Sequence, residues 1–385
     1  TLSAMSITLY PKITNKLVSV RHALLQSGNI TDSPLNGDVT DPTYTPSTLP
    51  IVGTVKLHGA HADIVIDAQD NVKFQSRNRT DLSIASDNHN FAATMSNHVP
   101  AILRIRDRYY ERFRALNPGT PIDKSFPLII AGEWIGSKIQ RRVAIAKLTH
   151  RFVIVSASIN GSWLPDEPYG DIHNEEDLIY QISRSGFFHA TLNFNFLNTT
   201  LKELDEITAV VEKECPFAAT FDIKGPGEGI VWKLTDHPNI PDTWFKVKGE
   251  NFDPTTKKPT DPAILAEREN QRGPLNAFVE DVVTEVRLEQ GWDYLREMGI
   301  KRDYKAIASF LRWVNEDAAT EEKEEVQELE KVGVKWKDIE KAIQTAARRW
   351  YQKKMREGAG DCDERAGNSL DMKEVKDEIS KIETS

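Results

Sequence analysis

Cysteine is nearly missing from this chain: only Cys215 and Cys362 occur among 385 residues. Two thiols cannot build the disulfide framework of a small secreted domain, so the expectation is a reducing, intracellular compartment. Long apolar runs are missing too, and none approaches the roughly 18–20 residues that a membrane span needs. The opening TLSAMSITLYPKITNKLV lacks the charged-then-apolar order of a secretory signal. Positive charge is in short supply. With 49 Lys and Arg against 58 Asp and Glu, the net charge is −9. That balance opposes wholesale electrostatic capture of nucleic acid and leaves room for a local basic channel. No Cys/His set has zinc spacing, and His58 and His61 are too isolated to make a metal site. No serine-hydrolase elbow occurs, and GPGEG lacks the lysine and following helix of a Walker loop.

What is present is an ordinary globular mixture, 39% hydrophobic and 28% charged, long enough for two domains. Residues 26–49 are rich in Ser, Thr, Pro, Asp and Gly and read as an irregular loop. From residue 51 to about 250 the texture is that of strands. IVGTVKL, HADIVID, NVKFQSR, FPLIIAGEWI, RFVIVSASI, EGIVWKL and TWFKVKG are short β-branched or aromatic runs bounded by turn residues. Phe91, Met95, Val99, Leu103 and Tyr110 keep near-helical spacing and predict a helix over 88–116, with another expected over 174–184. After FDPTTKKPTDP the pattern changes: Leu275, Val279, Val282 and Val286, then Trp336, Ile339, Ile343 and Trp350, predict helices across 262–357. The expected plan is α+β, a strand-rich domain over 1–255 followed by an all-helical domain over 256–385 whose tail beyond Glu357 is poorly ordered.

Lys56, in TVKLHGAHAD, follows an apolar strand and precedes Gly59. A lysine nucleophile must be neutral to attack, so it needs burial or a neighbouring cation to lower its pKa. Alone, this lysine reads as a solvated charge. Other segments suit the same chemistry. Glu133 sits between glycines in AGEWIG, and Glu228 directly precedes the strand that carries Lys233. Lys246 and Lys248 alternate along one strand and so share a face. Arg77 and Arg79 supply guanidiniums, the groups best shaped for bidentate phosphate contact. Together these residues suit a polyphosphate with Mg²⁺.

In order and spacing, KLHGAHADI, FQSRNR, GEWIG, EGIVWK and KVKG resemble the covalent nucleotidyltransferase superfamily of ligases and capping enzymes. Within it they are most similar to ATP-dependent RNA ligases of the RNA ligase 2-like branch. The resemblance runs from about residue 10 to residue 250. It implies an antiparallel-sheet, ATP-grasp-like adenylation domain, with the helical domain in the place of an appended specificity domain. It also implies ATP and Mg²⁺ as cofactors, with Mn²⁺ able to substitute, and RNA ends bearing 5′-phosphate and 3′-hydroxyl groups as partners.

By the same resemblance Lys56 forms a covalent lysine–AMP, His58 and Gly59 shape its turn, and Arg77, or failing that Arg79, contacts phosphate. Glu133 holds the ribose, and Phe152 stacks on adenine. Glu228, with Glu133, supports the metal, and Lys246 and Lys248 steady the α-phosphate. The sequence departs from that branch at Ala60-His61, where the branch reads Thr-Asn, and at Val55, where it often has glutamate. In the helical part Lys335, Lys337, Lys341, Arg348 and Arg349, with Trp336 and Trp350, are candidates for contact with the strand. The competing expectations are a capping-type guanylyltransferase with the same lysine chemistry and a non-catalytic RNA-binding relative.

Overall fold

A computed structural model describes residues 10–11, 13–27, 48–77, 79–84, 87, 89–140, 142–249, 252 and 273–358. The expected boundary at 255/256, nearly all of the loop expected over 26–49 and the expected poorly ordered tail lie outside the described residues.

Two sheets face one another. The first has the order β10-β9-β1-β8, with β1 at Thr48–Lys56, β8 at Phe188–Asn193, β9 at Gly229–Leu234 and β10 at Phe245–Lys248. All of its pairs are antiparallel. The second runs β3-β2-β4-β5-β6, with β2 at Ala60–Ile66, β3 at Val72–Ser76, β4 at Leu128–Ile135, β5 at Arg151–Ile159 and β6 at Ser162–Trp163. Its pairs are antiparallel, except that β7 (Ile179–Gln181) joins β5 in parallel.

The period-two geometry of a strand sorts these residues. On the first sheet Ile51, Val55, Ile230, Trp232 and Phe245 face outward into a core shared with helices α1 (Leu17–Gln26) and α4 (Leu197–Lys213). On the second, Ala62, Ile64, Ile66, Ile130, Trp134 and Phe152 face outward, against α2 (Phe91–Met95) and α3 (Val99–Leu116). The inner faces therefore receive the intervening residues, which are largely polar: Thr54, Lys56, Lys233, Lys246 and Lys248 on one sheet, and His61, Asp63, Gln75, Glu133 and Ser156 on the other. At one end a small apolar group, Val65, Ile129, Ala131, Trp163 and Trp244, holds the sheets together.

The helix expected over 88–116 is split. Asp87 accepts hydrogen bonds from the amides of Ala92 and Ala93 (2.8 and 2.7 Å) and so starts α2. A 3₁₀ turn at Ser96–His98 then leads into α3, which has Pro100 in its first turn. Over 174–184 the structure corrects the expected helix. Short 3₁₀ turns, Glu175–Asp177 and Ile182–Ser185, flank β7, whose backbone covers the free edge of β5.

C-terminal to the sheets, α5 (Pro216–Ala219) having closed the run after α4, five helices follow: α6 (273–282), α7 (Glu285–Glu297), α8 (Ile307–Glu321), α9 (Lys323–Lys331) and α10 (Trp336–Arg356). They surround their own core, in which Leu295, Phe310, Val314, Ile339, Ile343 and Tyr351 are buried. These helices also reach the strand-rich part of the chain, at the loop after β4 and at the start of α1. Gln140 donates to Asp293 of α7 (3.2 Å), and Lys16 pairs with Glu325 of α9 (2.9 Å). No helix among the described residues is long and apolar enough to cross a membrane.

Candidate active site

The site is built around one carboxylate. Glu228 is 2% exposed and immediately precedes β9. One oxygen accepts from Lys56 Nζ (2.7 Å) and lies 3.0 Å from His58 Nδ1, while the other pairs with Lys248 Nζ at 3.2 Å. Backbone registration makes this possible, because Gly229 is opposite Lys56 on β1 and opposite Lys248 on β10. A Cβ on Gly229 would lie 2.2 Å from the carbonyl oxygen of Val247, so only glycine lets the strands close here. Gly227, on the other side of Glu228, is similarly crowded by the Val211 carbonyl oxygen at 2.8 Å.

The charges tune one another. Burial pushes the Lys56 amine down from its usual pKa, Glu228 holds it up, and Lys248 adds to the depression, for a net lowering. Burial acts to raise the Glu228 pKa, yet Lys56, Lys248 and His58 outweigh it and hold the carboxyl well below its usual range. Lys246 is pushed down to about 7, chiefly by burial, with Lys248, Lys56 and Arg77 adding to the effect and Glu321 of α8 opposing it. The result is an ionised carboxylate gathering two amines, Lys56 and Lys248, with a third amine, Lys246, nearby and close to the point of losing its proton at neutral pH. The Lys56 side chain keeps 22% exposure, enough to be reached.

Across the cleft Glu133 is raised by burial against His61, Lys56 and Arg77, and its Oε2 is buried without a hydrogen-bond partner. Gly59 is next to it: a Cβ there would meet Glu133 Oε2 at 2.9 Å and the Trp134 carbonyl oxygen at 2.7 Å. His61, opposite Glu133 on β2, places Nε2 2.9 Å from Asp63 Oδ1 and packs under the Tyr10 ring (centroids 4.9 Å apart). Burial lowers the His61 pKa, but Asp63 reverses the sign and leaves it raised. Deeper in the cleft Lys233 pairs with Asp166 at 2.7 Å, donates to Ser156 and lies over the Trp244 ring at 4.2 Å.

The structure thus brings Lys56, His58, Glu228 and Lys248 into direct contact and sets Gly59 beside Glu133. Lys246 and Arg77 stand within electrostatic reach of them. Arg79 turns instead toward Asp81, at 3.7 Å. Phe152 corrects the adenine-stacking expectation. It pairs with Trp134, one residue out of phase with Glu133, and its ring is fully buried in the outer core beside Phe91. Lys335, Lys337, Lys341, Arg348 and Arg349 are all exposed, on or just before α10. Trp350 is occupied within the helical core, stacked on Phe310 and donating to Glu285 at 3.0 Å. Tyr10 and Asp166 lie outside the motifs, and Asp63 and Gln75 lie inside them with no role implied by the resemblance. The signal for Asp63 is a carboxylate two residues after His61 inside an apolar strand, hence on the same inner face.

A metal ion finds few ligands. Among the described residues no group of three or more His, Cys, Asp or Glu side chains is placed to hold one. Both Glu228 oxygens are already engaged, which counts against that residue as a direct ligand. The orphaned Glu133 Oε2 fits a single contact, leaving phosphate and water to complete the shell of a hard cation such as Mg²⁺.

The family model described as RNA ligase matches residues 49–248, more than half of the chain, and spans every strand from β1 to β10. The chain belongs to the RNA ligase family. No curated protein matches it. Among solved structures it is similar to Naegleria gruberi RNA ligase. One variant of that ligase, with AMP and Mn, is 15% identical over 63% of this chain and 57% of that one, with a TM-score of 0.36. Another, with ATP and Mn, is 13% identical over 70% and 60%, with a TM-score of 0.37. The same ligase with PPi is 15% identical over 70% and 60%, with a TM-score of 0.36. The chain therefore spans about 57–60% of the length of those ligases.

Proposed function

We propose that the protein is an ATP-dependent RNA ligase that joins 5′-phosphate and 3′-hydroxyl RNA ends through a lysine–AMP intermediate on Lys56. The observation that carries this reading is the Glu228 carboxylate gathering Lys56, His58 and Lys248 at adjoining strand ends. In the first step Lys56, having lost its proton to solvent, attacks the α-phosphorus of ATP. An N–P bond forms, the bond to the bridging oxygen breaks, and pyrophosphate leaves. Lys246, Lys248 and Arg77 offset the charge that develops on the phosphate oxygens. The Glu228 carboxyl is held well below its usual range by the neighbouring cations, which makes it a weak proton acceptor. It orients the amine and keeps Lys248 in place. Glu133, on the opposite sheet, accepts a ribose hydroxyl.

AMP then passes from Lys56 to the 5′-phosphate of an RNA end, giving an AppRNA terminus. A 3′-hydroxyl attacks that activated phosphate and AMP is expelled. Mg²⁺ supplies charge neutralisation on the phosphates, with Glu133 as its contact from the chain.

The test is incubation with Mg²⁺ and α-labelled ATP or GTP, followed by denaturation. Covalent label from ATP that is absent in Lys56→Ala is the expected result. Label from GTP alone would make the protein a capping-type guanylyltransferase, and no label from either would overturn the enzymatic reading.

A further inference from the structure

Between α8 and α10 lies a cleft of about 430 Å³ that plays no part in the site above. Its walls are stripes of residues repeating every helical turn: Trp336, Glu340, Gln344 and Arg348 on α10, with Arg312 and Asn315 on α8. Arg312 and Arg348 are exposed and Trp336, Glu340 and Gln344 half-buried, but Asn315 is 5% exposed and its Oδ1 is buried without a hydrogen-bond partner. Its Nδ2 donates to Glu340 Oε1 at 3.4 Å, and Gln344 Nε2 donates to the same oxygen at 3.2 Å. Turning the Asn315 amide over cannot repair this, because it would set two oxygens against each other at Glu340. A buried acceptor left unpaired is destabilising. Asn315 thus lines the cleft with an acceptor that the chain itself leaves unpaired.

The remaining chemistry limits what that donor belongs to. Trp336 is half-buried against the helical core and lines one end of the cleft. Arg312 and Arg348, both exposed, bring guanidiniums from opposite walls. Glu340 and the nearby Glu316 balance those two charges, so the cleft does not attract a polyphosphate or the dense charge of a duplex. The volume is at the small end of the roughly 300–1,000 Å³ typical of ligand pockets. An aromatic platform, an amide pair that reads a base edge and an arginine for one phosphate together describe a single nucleotide. We propose that this cleft binds one unstacked ribonucleotide of the RNA strand, its base on Trp336 with an edge N–H donated to Asn315 Oδ1 and its phosphate held by Arg348 and Arg312. The proposal rests on the reading of the protein as an RNA ligase. It makes Arg348 a specific contact and leaves Lys335, Lys337, Lys341 and Arg349 as general attraction.

The test uses the full chain and a 5′-phosphorylated single-stranded oligoribonucleotide carrying 4-thiouridine, with photo-crosslinks mapped by mass spectrometry and affinity measured by titration. Crosslinks are expected on the peptide containing Trp336. Trp336→Ala and Arg348→Ala are each expected to weaken binding about tenfold, and Trp336→Phe to restore most of it. Thermal unfolding of each variant checks that the helices remain folded. If Trp336→Ala melts early, Arg348→Ala, at an exposed position, carries the decision. Binding within twofold of wild type in the folded variants, or crosslinks confined to the sheets, overturns the proposal. Labelling of Lys56 by ATP needs no RNA, which separates the two failures. Wild-type protein that labels but does not crosslink at Trp336 sinks this inference alone. Protein that crosslinks there but never labels sinks the ligase reading and leaves the nucleotide site standing.

Discussion

Two lysines on the same inner sheet face each have a carboxylate at 2.7 Å, and they differ in almost everything else. Lys233 is sealed in: its side chain is 3% exposed and Asp166's is 7%, with Trp244 and Ser156 closing around them. Lys56 keeps 22% exposure, and its carboxylate is shared with Lys248 and His58. Both amines are lowered by burial and held up by their carboxylates. Only at Lys56 does a second cation press in the same direction as burial. Ion pairing therefore does not distinguish the proposed nucleophile from a structural lysine. What distinguishes it is an oversubscribed carboxylate together with an open side.

That contrast can be broken most sharply at Lys56. Lys56→Ala should abolish covalent labelling by ATP, a fall of at least about 10³-fold. Lys56→Arg should fail equally, since a guanidinium does not give up its proton. Glu228→Gln should cut the labelling rate about 10²–10³-fold, because the amines it gathers lose their common anchor. Asp166→Asn should leave the labelling rate of folded protein within a few-fold of wild type; a loss as deep as that of Glu228→Gln would erase the distinction.

At Lys233 the effect should appear in stability instead. Lys233→Met strands a buried carboxylate and should lower unfolding free energy by about 3–5 kcal/mol in a denaturant titration. Adding Asp166→Leu should recover most of that loss. No recovery would mean that the pair does more than compensate itself.

The pH dependence sharpens the comparison further. Labelling should rise with pH as Lys56 loses its proton in the folded protein. Nucleotide binding should run the other way. Lys246 is pushed down to about 7 in the folded chain, and a bound phosphate favours its charged form. AMP binding should therefore take up protons above pH 7 and weaken as pH rises, which calorimetry in buffers of different ionisation enthalpy would read directly. For folding the sign is also set. Above about pH 7 the unfolded chain holds a proton on Lys246 that the folded chain has lost, so this residue's contribution to stability improves as pH rises toward the ordinary lysine range. The exposed end of the series is Lys16 with Glu325, whose side chains are 22% and 50% exposed. Glu325→Gln should change stability by less than about 1 kcal/mol, and that little should vanish at high salt.

Strand-end charges were the legible part of this site. Lys56, Glu133, Glu228, Lys246 and Lys248 each adjoin an apolar run bounded by turn residues, and their order along the chain carries the resemblance. Facing was less legible. Phe152 and Glu133 lie on opposite faces because of cross-strand registration through the irregularity at Ala131/Gly132, where β4 opposes Ser156 and then Ile154 of β5. No local pattern announces that skipped residue. Likewise, Arg77 and Arg79 are equivalent by spacing, and the backbone bond from Ser76 N to Arg79 O (2.8 Å) turns the chain between them. The segment over 174–184 failed as a helix because pairing with the edge of β5 overrode its local periodicity. The Lys233–Asp166 pair joins residues far apart in sequence, and only the fold reveals that they share a face.

The least replaceable position around Lys56 carries no functional group at all. Gly229 offers neither charge nor hydrogen-bonding side chain, yet β1 and β10 both register against it. One added methyl group would collide with the Val247 carbonyl oxygen and pry β10 away, taking Lys248 out of reach of Glu228. In a saturation library selected for ligation, residue 229 should therefore tolerate fewer replacements than Lys246 or Lys233, and as few as Lys56 itself. The chemistry is inherited through a backbone clearance as much as through the amines it assembles.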